Sequence, residues 1–185
     1  MAKEEILGEY NKIPDTIPAE SVVKIEFHPI DLVTHWKRCG LMADFIGSFY
    51  SYSSRGKKDE RILYNLSTVI NELIENAAKF SKQRSPVLLT LKHYSNLLQV
   101  QVTNHVTTHV SENFKKLANT LLNSDLEELY FKKLEEKDEN DTQSGIGLMM
   151  ILKDYPVSMA FKFQDHEDGK ATSVTVKAFI SVEGV

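Results

Sequence analysis

The feature that most constrains the fold is a long helical pattern near the middle of the chain, from Glu60 to about Ser81. Its apolar residues recur at three- and four-residue spacing: Ile62, Leu66, Val69, Ile70, Leu73, Ala77 and Phe80. This spacing puts them on one broad face of a helix. The pattern therefore predicts a central core helix against which the rest of the chain packs.

Five apolar runs have the period or the length of strands: residues 22–27, 87–91, 97–103, 159–163 and 174–178. The second and third are joined by the four residues from His93 to Asn96 and predict an antiparallel hairpin, and the last two predict a closing hairpin. In the third run, apolar residues alternate with Gln99, Gln101 and Thr103. We therefore expect one face of the sheet to be open or covered only by a partner.

The segments between these strands carry helical patterns. We expect Pro29 to end the first strand and Asp31 to cap a helix that reaches Ile46. Ser124 and Glu127 have the spacing of a capping box for a helix through Leu134, which follows another helix over residues 111–122. The order β-α-α-β-β-α-α-β-β predicts an α+β fold, a two-layer α/β sandwich with a mixed, mostly antiparallel sheet and helices on one face.

Two parts are expected along the chain: a loosely structured N-terminal arm over residues 1–20, and a single domain over residues 21–185. The net charge of −4 argues against a broad nucleic-acid surface. Cys39 is the one cysteine, no apolar leader is visible, and no stretch approaches the roughly 20 apolar residues of a membrane span. We therefore expect a cytoplasmic protein that contacts neither nucleic acid nor membrane.

The first candidate site lies on the central helix. Glu72, Asn76 and Lys79 form one stripe along its edge, whereas Glu75 points nearly away from the core. A carboxylate beside an amide oxygen suits Mg²⁺, and a lysine one turn further on can face phosphates as a point charge. The alternative is a solvated helix edge stabilised by a glutamate–lysine pair.

The second candidate site is the pair Gly145 and Gly147, which opens an apolar helical run. Glycines allow close approach of the backbone to a phosphate, and the free N–H groups of a first helical turn attract anions. The alternative is a flexible helix entry that binds nothing.

Taken together, these two motifs resemble the GHKL superfamily of ATPases, the histidine-kinase-like or Bergerat type. NELIENAAKFS, residues 71–81, is similar to the N-box of that family, and SGIGLMMI, residues 144–151, is similar to its second glycine box. The resemblance runs from about Val22 to Ile180 and implies the histidine-kinase-like ATPase fold, with ATP and Mg²⁺ as its ligands.

The resemblance also implies a role for each matched residue. Asn76 would coordinate Mg²⁺, Glu72 would be the general base or orient a water, and Lys79 would approach the phosphates. The backbone amides of the glycine box would hold the phosphates: Gly145, Ile146, Gly147 and Leu148. Residues from about His105 to Gln143 would form a lid, and the polar composition of residues 135–143 predicts a flexible segment there.

One part of the family pattern is altered. Asn104 stands where the family has an aspartate that accepts a hydrogen bond from the adenine amino group, and Val106 and Thr108 replace two glycines. An asparagine oxygen can still accept that bond, but β-branched side chains narrow the base pocket. His105 and His109 have a spacing that can bind metal, although no third ligand is evident.

The resemblance is strongest to small serine-kinase regulators of bacterial partner-switching systems. It implies a protein serine/threonine kinase that phosphorylates a Ser or Thr of a partner protein, or a weak ATPase. The alternative is a non-catalytic interaction module with an eroded nucleotide site that regulates a partner. Formation of a homodimer, through the N-terminal arm or the open sheet face, stays open.

Overall fold

The computed structural model describes residues 3–14, 16–52, 59–82, 85–135, 145–167, 169 and 171–182. Its centre is the predicted helix, which spans Glu60–Phe80 and is labelled α3 below. The Asp59 side chain begins it by accepting the backbone N–H groups of Arg61 and Ile62, which would otherwise lack partners at a helix start. Its apolar face is buried as the spacing predicts.

Six strands form one sheet: β1 Glu4–Leu7, β2 Ser21–Phe27, β3 Val87–Tyr94, β4 Leu97–Val106, β5 Val157–Asp165 and β6 Thr172–Ser181. Their order across the sheet is β1-β5-β6-β4-β3-β2, and every pairing among these described strands is antiparallel. Both predicted hairpins are present. The α+β fold class is confirmed, with an antiparallel rather than a mixed sheet over the described strands.

Five further helices accompany α3 in the described part of the chain: α1 Pro29–Thr34, α2 Lys37–Ser51, α4 Thr108–Asn123, α5 Leu126–Glu135 and α6 Ile146–Asp154. α2 packs on α3, which in turn packs on the helix-facing side of β3, β4 and β6. α4 and α6 complete this layer over β5. Of the helices described, none has both the length and the apolar character that a bilayer crossing requires.

The helix predicted from Asp31 to Ile46 is two helices. α1 begins two residues earlier, at Pro29, because proline lacks an N–H group and fits the first helical turn. Asp31 lies inside α1 and bonds the Arg38 guanidinium instead of capping. The first helix ends at His35, whose φ of −131° and ψ of 61° lie outside the helical region.

The predicted capping box at Ser124 is also wrong. Ser124 ends α4, and the Asp125 side chain accepts the backbone N–H groups of Glu127 and Glu128 to begin α5. Asp and Ser are both strong N-cap residues, so the sequence pattern alone could not decide between neighbours.

The N-terminal arm is more ordered than expected. β1 pairs with β5 at the sheet edge, and Gly8–Lys12 then crosses the outer sheet face. There the Lys177 ammonium donates to the Tyr10 carbonyl oxygen and lies 3.8 Å from the centre of the Tyr10 ring. This face was expected to be open or covered only by a partner, but Gln99 in its middle is buried. The chain itself therefore covers part of the face. The domain division at residue 20 stays a prediction.

Candidate functional site

The two sequence motifs meet in the structure, although about 70 residues separate them. α6 crosses α3 so closely that a Cβ built on Gly147 would overlap the Glu72 carboxylate. Only glycine therefore fits at this crossing without moving Glu72. The crossing brings the first turn of α6, with Ile146 and Leu148, beside the polar stripe of α3.

Asn76 and Glu72 are bonded to each other one turn apart on α3. The Asn76 amide nitrogen donates to the Glu72 backbone oxygen at 2.9 Å and to the Glu72 carboxylate. Because the nitrogen is used in this way, the amide oxygen is the group that Asn76 can offer to a cation. Both side chains are partly buried.

The environment of Glu72 favours its protonated form. Burial raises the pKa of the Glu72 carboxyl, and the nearby Glu75 charge adds to this. The hydrogen bond from Asn76 and the charge of Lys79 act in the opposite direction and are outweighed. A carboxylate with a raised pKa binds a proton more readily than an exposed glutamate does.

Lys79 does not form the salt bridge of the alternative interpretation. Within the residues described, no ion pair joins it to Glu72 or Glu75. Its ammonium is exposed and lies 5.2 Å from the centre of the Phe80 ring. Glu75 instead accepts a bond of 2.8 Å from Asn71. The Lys79 ammonium thus faces solvent, and Lys79 lines neither of the two cavities described below.

A cavity of about 340 Å³ lies beside this stripe, between α3, α4 and the strands β4 and β6. Its walls are mostly apolar, and Asn76, Gly145 and Leu148 reach it from the two motifs. Its buried polar group is Asn104, which is 6% exposed. The Asn104 amide nitrogen donates to the Ala77 carbonyl oxygen at 3.4 Å and to Ser81 Oγ at 3.0 Å.

Val106 and Thr108 stand where the GHKL family has glycines, and they differ in their effect. Val106 is buried and lines the cavity, so its side chain does reduce the space there. Thr108 lies at the first turn of α4, where its hydroxyl donates to the Gly169 carbonyl oxygen at 3.0 Å. It is not among the cavity-lining residues. Only one of the two expected obstructions is therefore present.

The expected lid contributes the outer wall of the cavity. α4 presents Val110, Phe114 and Leu117 to it, and α5 presents Lys133. Gly145 lies against α4: a Cβ there would be 2.6 Å from Leu117 Cδ2, and its φ of +93° favours glycine. The rest of the expected lid, residues 136–143, and Ser144 lie outside the described residues.

Sequence reasoning missed Lys133, because an isolated lysine on an exposed helix carries no signal. It also missed a second, wider cavity of about 680 Å³ on the other side of Glu72 and Gly147. Trp36, Tyr64 and Tyr155 contribute aromatic walls there.

His105 and His109 contact different residues in the structure. His105 lies on β4 and contacts His166 at 3.0 Å, whereas His109 lies on α4 and contacts Asn113 at 3.3 Å. No group of three His, Cys, Asp or Glu residues with metal-binding geometry occurs in the part of the chain that the structure describes.

Burial raises the pKa of Cys39 to about 11, so its thiol stays protonated in the core.

Comparisons with known proteins give information on the fold alone. Neither a protein-family model nor a curated protein matches the sequence. Among solved structures, a chain of the SiaB–SiaC complex from Pseudomonas aeruginosa is similar, with a TM-score of 0.58 and 14% identity. The similarity covers 85% of this chain and 89% of that chain. It supports a related fold over most of the chain.

Proposed function

We propose that this chain is a Mg-ATP-binding regulatory module of the GHKL type, a protein serine/threonine kinase or weak ATPase of bacterial cytoplasmic signalling. The observation that carries the proposal is the meeting of Glu72, Asn76 and Gly147 between two cavities. Asn76 lines the apolar cavity with the buried Asn104 carboxamide, and Glu72 and Gly147 line the second one. Similarity in fold to a protein from a two-protein complex supports a regulated protein partner.

The cavity suits a purine base. Its volume falls within the range of about 300–1,000 Å³ common for small-molecule pockets, and its walls are apolar. The Asn104 amide nitrogen already donates to Ala77 and Ser81 at the end of α3. Its amide oxygen is therefore the group available to accept a hydrogen bond from an exocyclic amine. A base seated there would direct its ribose and phosphates towards Asn76 and α6.

The residues present fit a phosphate chain and a magnesium ion. The first-turn N–H groups of Ile146, Gly147 and Leu148, at the start of α6, suit an anion. The Asn76 amide oxygen is a ligand type that Mg²⁺ accepts, and Lys79 adds an exposed positive charge. When bound, Mg²⁺ would neutralise part of the phosphate charge.

Glu72 is the proposed proton acceptor. In the kinase reaction, a Ser or Thr oxygen of the partner forms a bond to the γ-phosphorus, the bond to the β-phosphate oxygen breaks, and the hydroxyl proton passes to Glu72. ADP is the leaving group. The second cavity borders Glu72 from the side opposite the base pocket and gives a partner segment access to it. Without a partner, water takes the place of the hydroxyl.

The nucleotide site is tested by calorimetric titration with a non-hydrolysable ATP analogue, with and without Mg²⁺. We expect Mg²⁺-dependent binding that Asn76→Ala weakens at least tenfold. Asn65→Ala is the matched control, since Asn65 lies on the same helix and lines neither cavity. A folded wild-type protein that binds no analogue at millimolar concentration would exclude the proposal.

The alternative function is a non-catalytic interaction module with an eroded nucleotide site. The observation that favours it is Val106, whose buried side chain takes up part of the base pocket. Glu72→Ala separates the two functions. The kinase or ATPase should keep analogue binding in this variant and lose turnover, whereas the interaction module should regulate its partner unchanged.

A further inference from the structure

The second cavity, of about 680 Å³, lies between three helices. α3 lines it with a stripe that runs from Tyr64 through Thr68 and Glu72 to Glu75. These positions are three or four residues apart, so they share one face of the helix. The first part of α2 lines one side of the cavity, and α6 with Tyr155 lines the other. None of its lining residues belongs to the nucleotide cavity, so this is a separate site.

Three aromatic side chains line the second cavity: Trp36, Tyr64 and Tyr155. The rings of Tyr64 and Tyr155 stack, with centres 6.0 Å apart and an angle of 27° between their planes. Trp36 is 45% exposed and Tyr64 is 65% exposed, so a ligand can reach both rings. The faces of such rings attract the ammonium of a lysine and the guanidinium of an arginine.

The second cavity also carries an excess of negative charge. Three carboxylates line it, those of Asp44, Glu72 and Glu75, against the one ammonium of Lys37. Among the residues that the structure describes, no basic side chain forms an ion pair with any of these carboxylates. Their charges are therefore available to a cation from outside the chain.

Asn71 adds an unused hydrogen-bond acceptor to the same lining. Its amide nitrogen donates to Glu75 at 2.8 Å, whereas its oxygen is buried and has no hydrogen-bond partner within the described residues. Beside it, Gly40 of α2 has no side chain, and a Cβ built there would lie 3.9 Å from Asn71 Oδ1. This leaves room for a ligand N–H group to approach the acceptor, and buried acceptors are normally paired.

We propose that the second cavity binds a lysine or arginine side chain of the partner protein, with the charged group between the aromatic rings and the carboxylates of Asp44 and Glu75. The half-exposed rings make the cavity open, which suits a side chain that projects from a larger surface. The proposal rests on the function proposed above for the partner, because the cavity borders Glu72, where the hydroxyl of the partner reacts. The affinity for the cation does not depend on ATP.

The position of the cavity also sets where the basic residue stands in the partner. Glu75 follows Glu72 by three residues on α3, which puts their Cβ atoms about 5–6 Å apart. An extended chain advances about 3.3–3.6 Å per residue. A basic side chain held at Glu75 therefore belongs to a residue about two positions from the Ser or Thr that meets Glu72.

The first test uses Trp36, which is the one tryptophan of the sequence. Its fluorescence therefore reports on the second cavity. The full chain, without nucleotide, is titrated with the N-acetyl amides of arginine and lysine. The N-acetyl amides of citrulline and norleucine are the uncharged controls of similar shape. We expect a saturable change with both charged probes, and binding weaker by about tenfold for the uncharged ones.

Variants connect the fluorescence change to the named residues. Asp44→Asn combined with Glu75→Gln should weaken binding of the arginine amide by about tenfold, because it removes two of the three carboxylate charges. The glutamine oxygen can still accept the bond from Asn71, so the fold should persist, as circular dichroism will check. Tyr64→Ala removes an exposed ring and should also weaken binding.

Each variant has a matched control outside both cavities. Glu112→Gln combined with Glu128→Gln removes two exposed carboxylates from α4 and α5, so it changes the net charge by the same amount. Phe131→Ala removes an aromatic ring of α5 that is 62% exposed, close to the 65% of Tyr64. Both controls should bind the arginine amide as the wild type does.

The second test addresses the spacing. Two peptides with one serine each carry an arginine either two or six positions from it, and phosphoryl transfer from ATP to each is measured. We expect a higher kcat/KM for the peptide with the two-residue spacing, and loss of this preference in the Asp44→Asn and Glu75→Gln double variant. Equal kcat/KM values for the two peptides would contradict the spacing.

Several outcomes would overturn the cation site. Equal binding of the charged and uncharged amides is one, and equal weakening by the cavity variants and their controls is another. Butylammonium that binds more tightly than either charged amide would assign the cavity to a free amine instead. Transfer to neither peptide, in a protein that binds the arginine amide, would contradict the kinase reaction and not the site. The two failures are therefore distinguishable.

Discussion

At the residue scale, Glu72 is the side chain with the clearest functional signature, and its position was predictable while its environment was not. The stripe at i, i+4 and i+7 identified Glu72, Asn76 and Lys79 from spacing alone. The raised pKa depends on burial beneath α6, and α6 lies far away in the sequence. Local periodicity carries no information on such a contact.

The raised pKa of Glu72 gives a prediction with a defined sign. An acid with a higher pKa in the folded state binds protons more tightly when folded, so stability falls as pH rises through that pKa. Glu72→Gln, which cannot ionise, should therefore exceed the wild type in unfolding free energy at pH 8. The difference should shrink towards pH 4. Urea denaturation at several pH values measures it; a pH-independent difference would show that the charge of Glu72 is not its source.

Asn104 gives a second prediction at this scale. Asn104→Asp would recreate the family residue, but it would put a buried carboxylate against the Ala77 carbonyl oxygen, where the amide now donates. We expect a loss of about 1–3 kcal/mol in unfolding free energy at pH 7. The loss should diminish at low pH, where the protonated acid can donate to Ala77. Denaturant titration at pH 7 and pH 4 checks both parts, and an Asp variant as stable as the wild type at pH 7 contradicts them.

At the scale of elements, long and strongly patterned segments were predicted well and their ends were not. α3 and both hairpins follow from periodicity. The helix start at Pro29 and the cap at Asp125 were missed because proline and neighbouring polar residues can begin a helix at more than one place. The break at His35 was missed because the helical spacing continues through it to Ile46. The crossing of α3 and α6 was implied only by resemblance to a family.

That crossing can be tested by a double-mutant cycle. Gly147→Ala should destabilise the wild type, because the new methyl group overlaps the Glu72 carboxylate. In a Glu72→Ala background the same change should be neutral or stabilising by up to about 1 kcal/mol, since alanine favours a helix over glycine. We expect a coupling of about 0.5–3 kcal/mol between the two positions from urea denaturation. Additive effects would mean that the Glu72 carboxylate can move away from the new methyl group at little cost.

At the scale of the whole molecule, the N-terminal segment departs most from expectation. Its two prolines suggested a loose arm, and the polar alternation of β4 suggested an open sheet face. In the structure, the N-terminal segment is ordered because it runs over the outer sheet face, and the same segment covers part of that face. There Tyr10 covers Lys177. Local sequence patterns could not predict this contact, since Tyr10 and Lys177 are far apart along the chain.

Removal of the Tyr10 ring should show how much its contact with Lys177 contributes to stability. Tyr10→Ala leaves the largely buried Lys177 ammonium without its aromatic neighbour, and we expect a loss of about 1–2 kcal/mol in unfolding free energy. Tyr10→Phe keeps the ring and is the matched control. In a Lys177→Met background the alanine change should cost less. Thermal and urea denaturation of the wild type and the four variants measure these costs. Equal costs of Tyr10→Ala in both backgrounds would show that the Lys177 charge does not contribute.

The pairing of β1 with β5 also affects how the protein is made. Glu4 faces Gln164 in the sheet, so during synthesis β1 leaves the ribosome long before its partner strand has been made. At about 5–20 residues per second, that wait is roughly 10–30 s. The β1 edge of the sheet therefore forms only after β5 has been synthesised, and β1 must stay soluble until then.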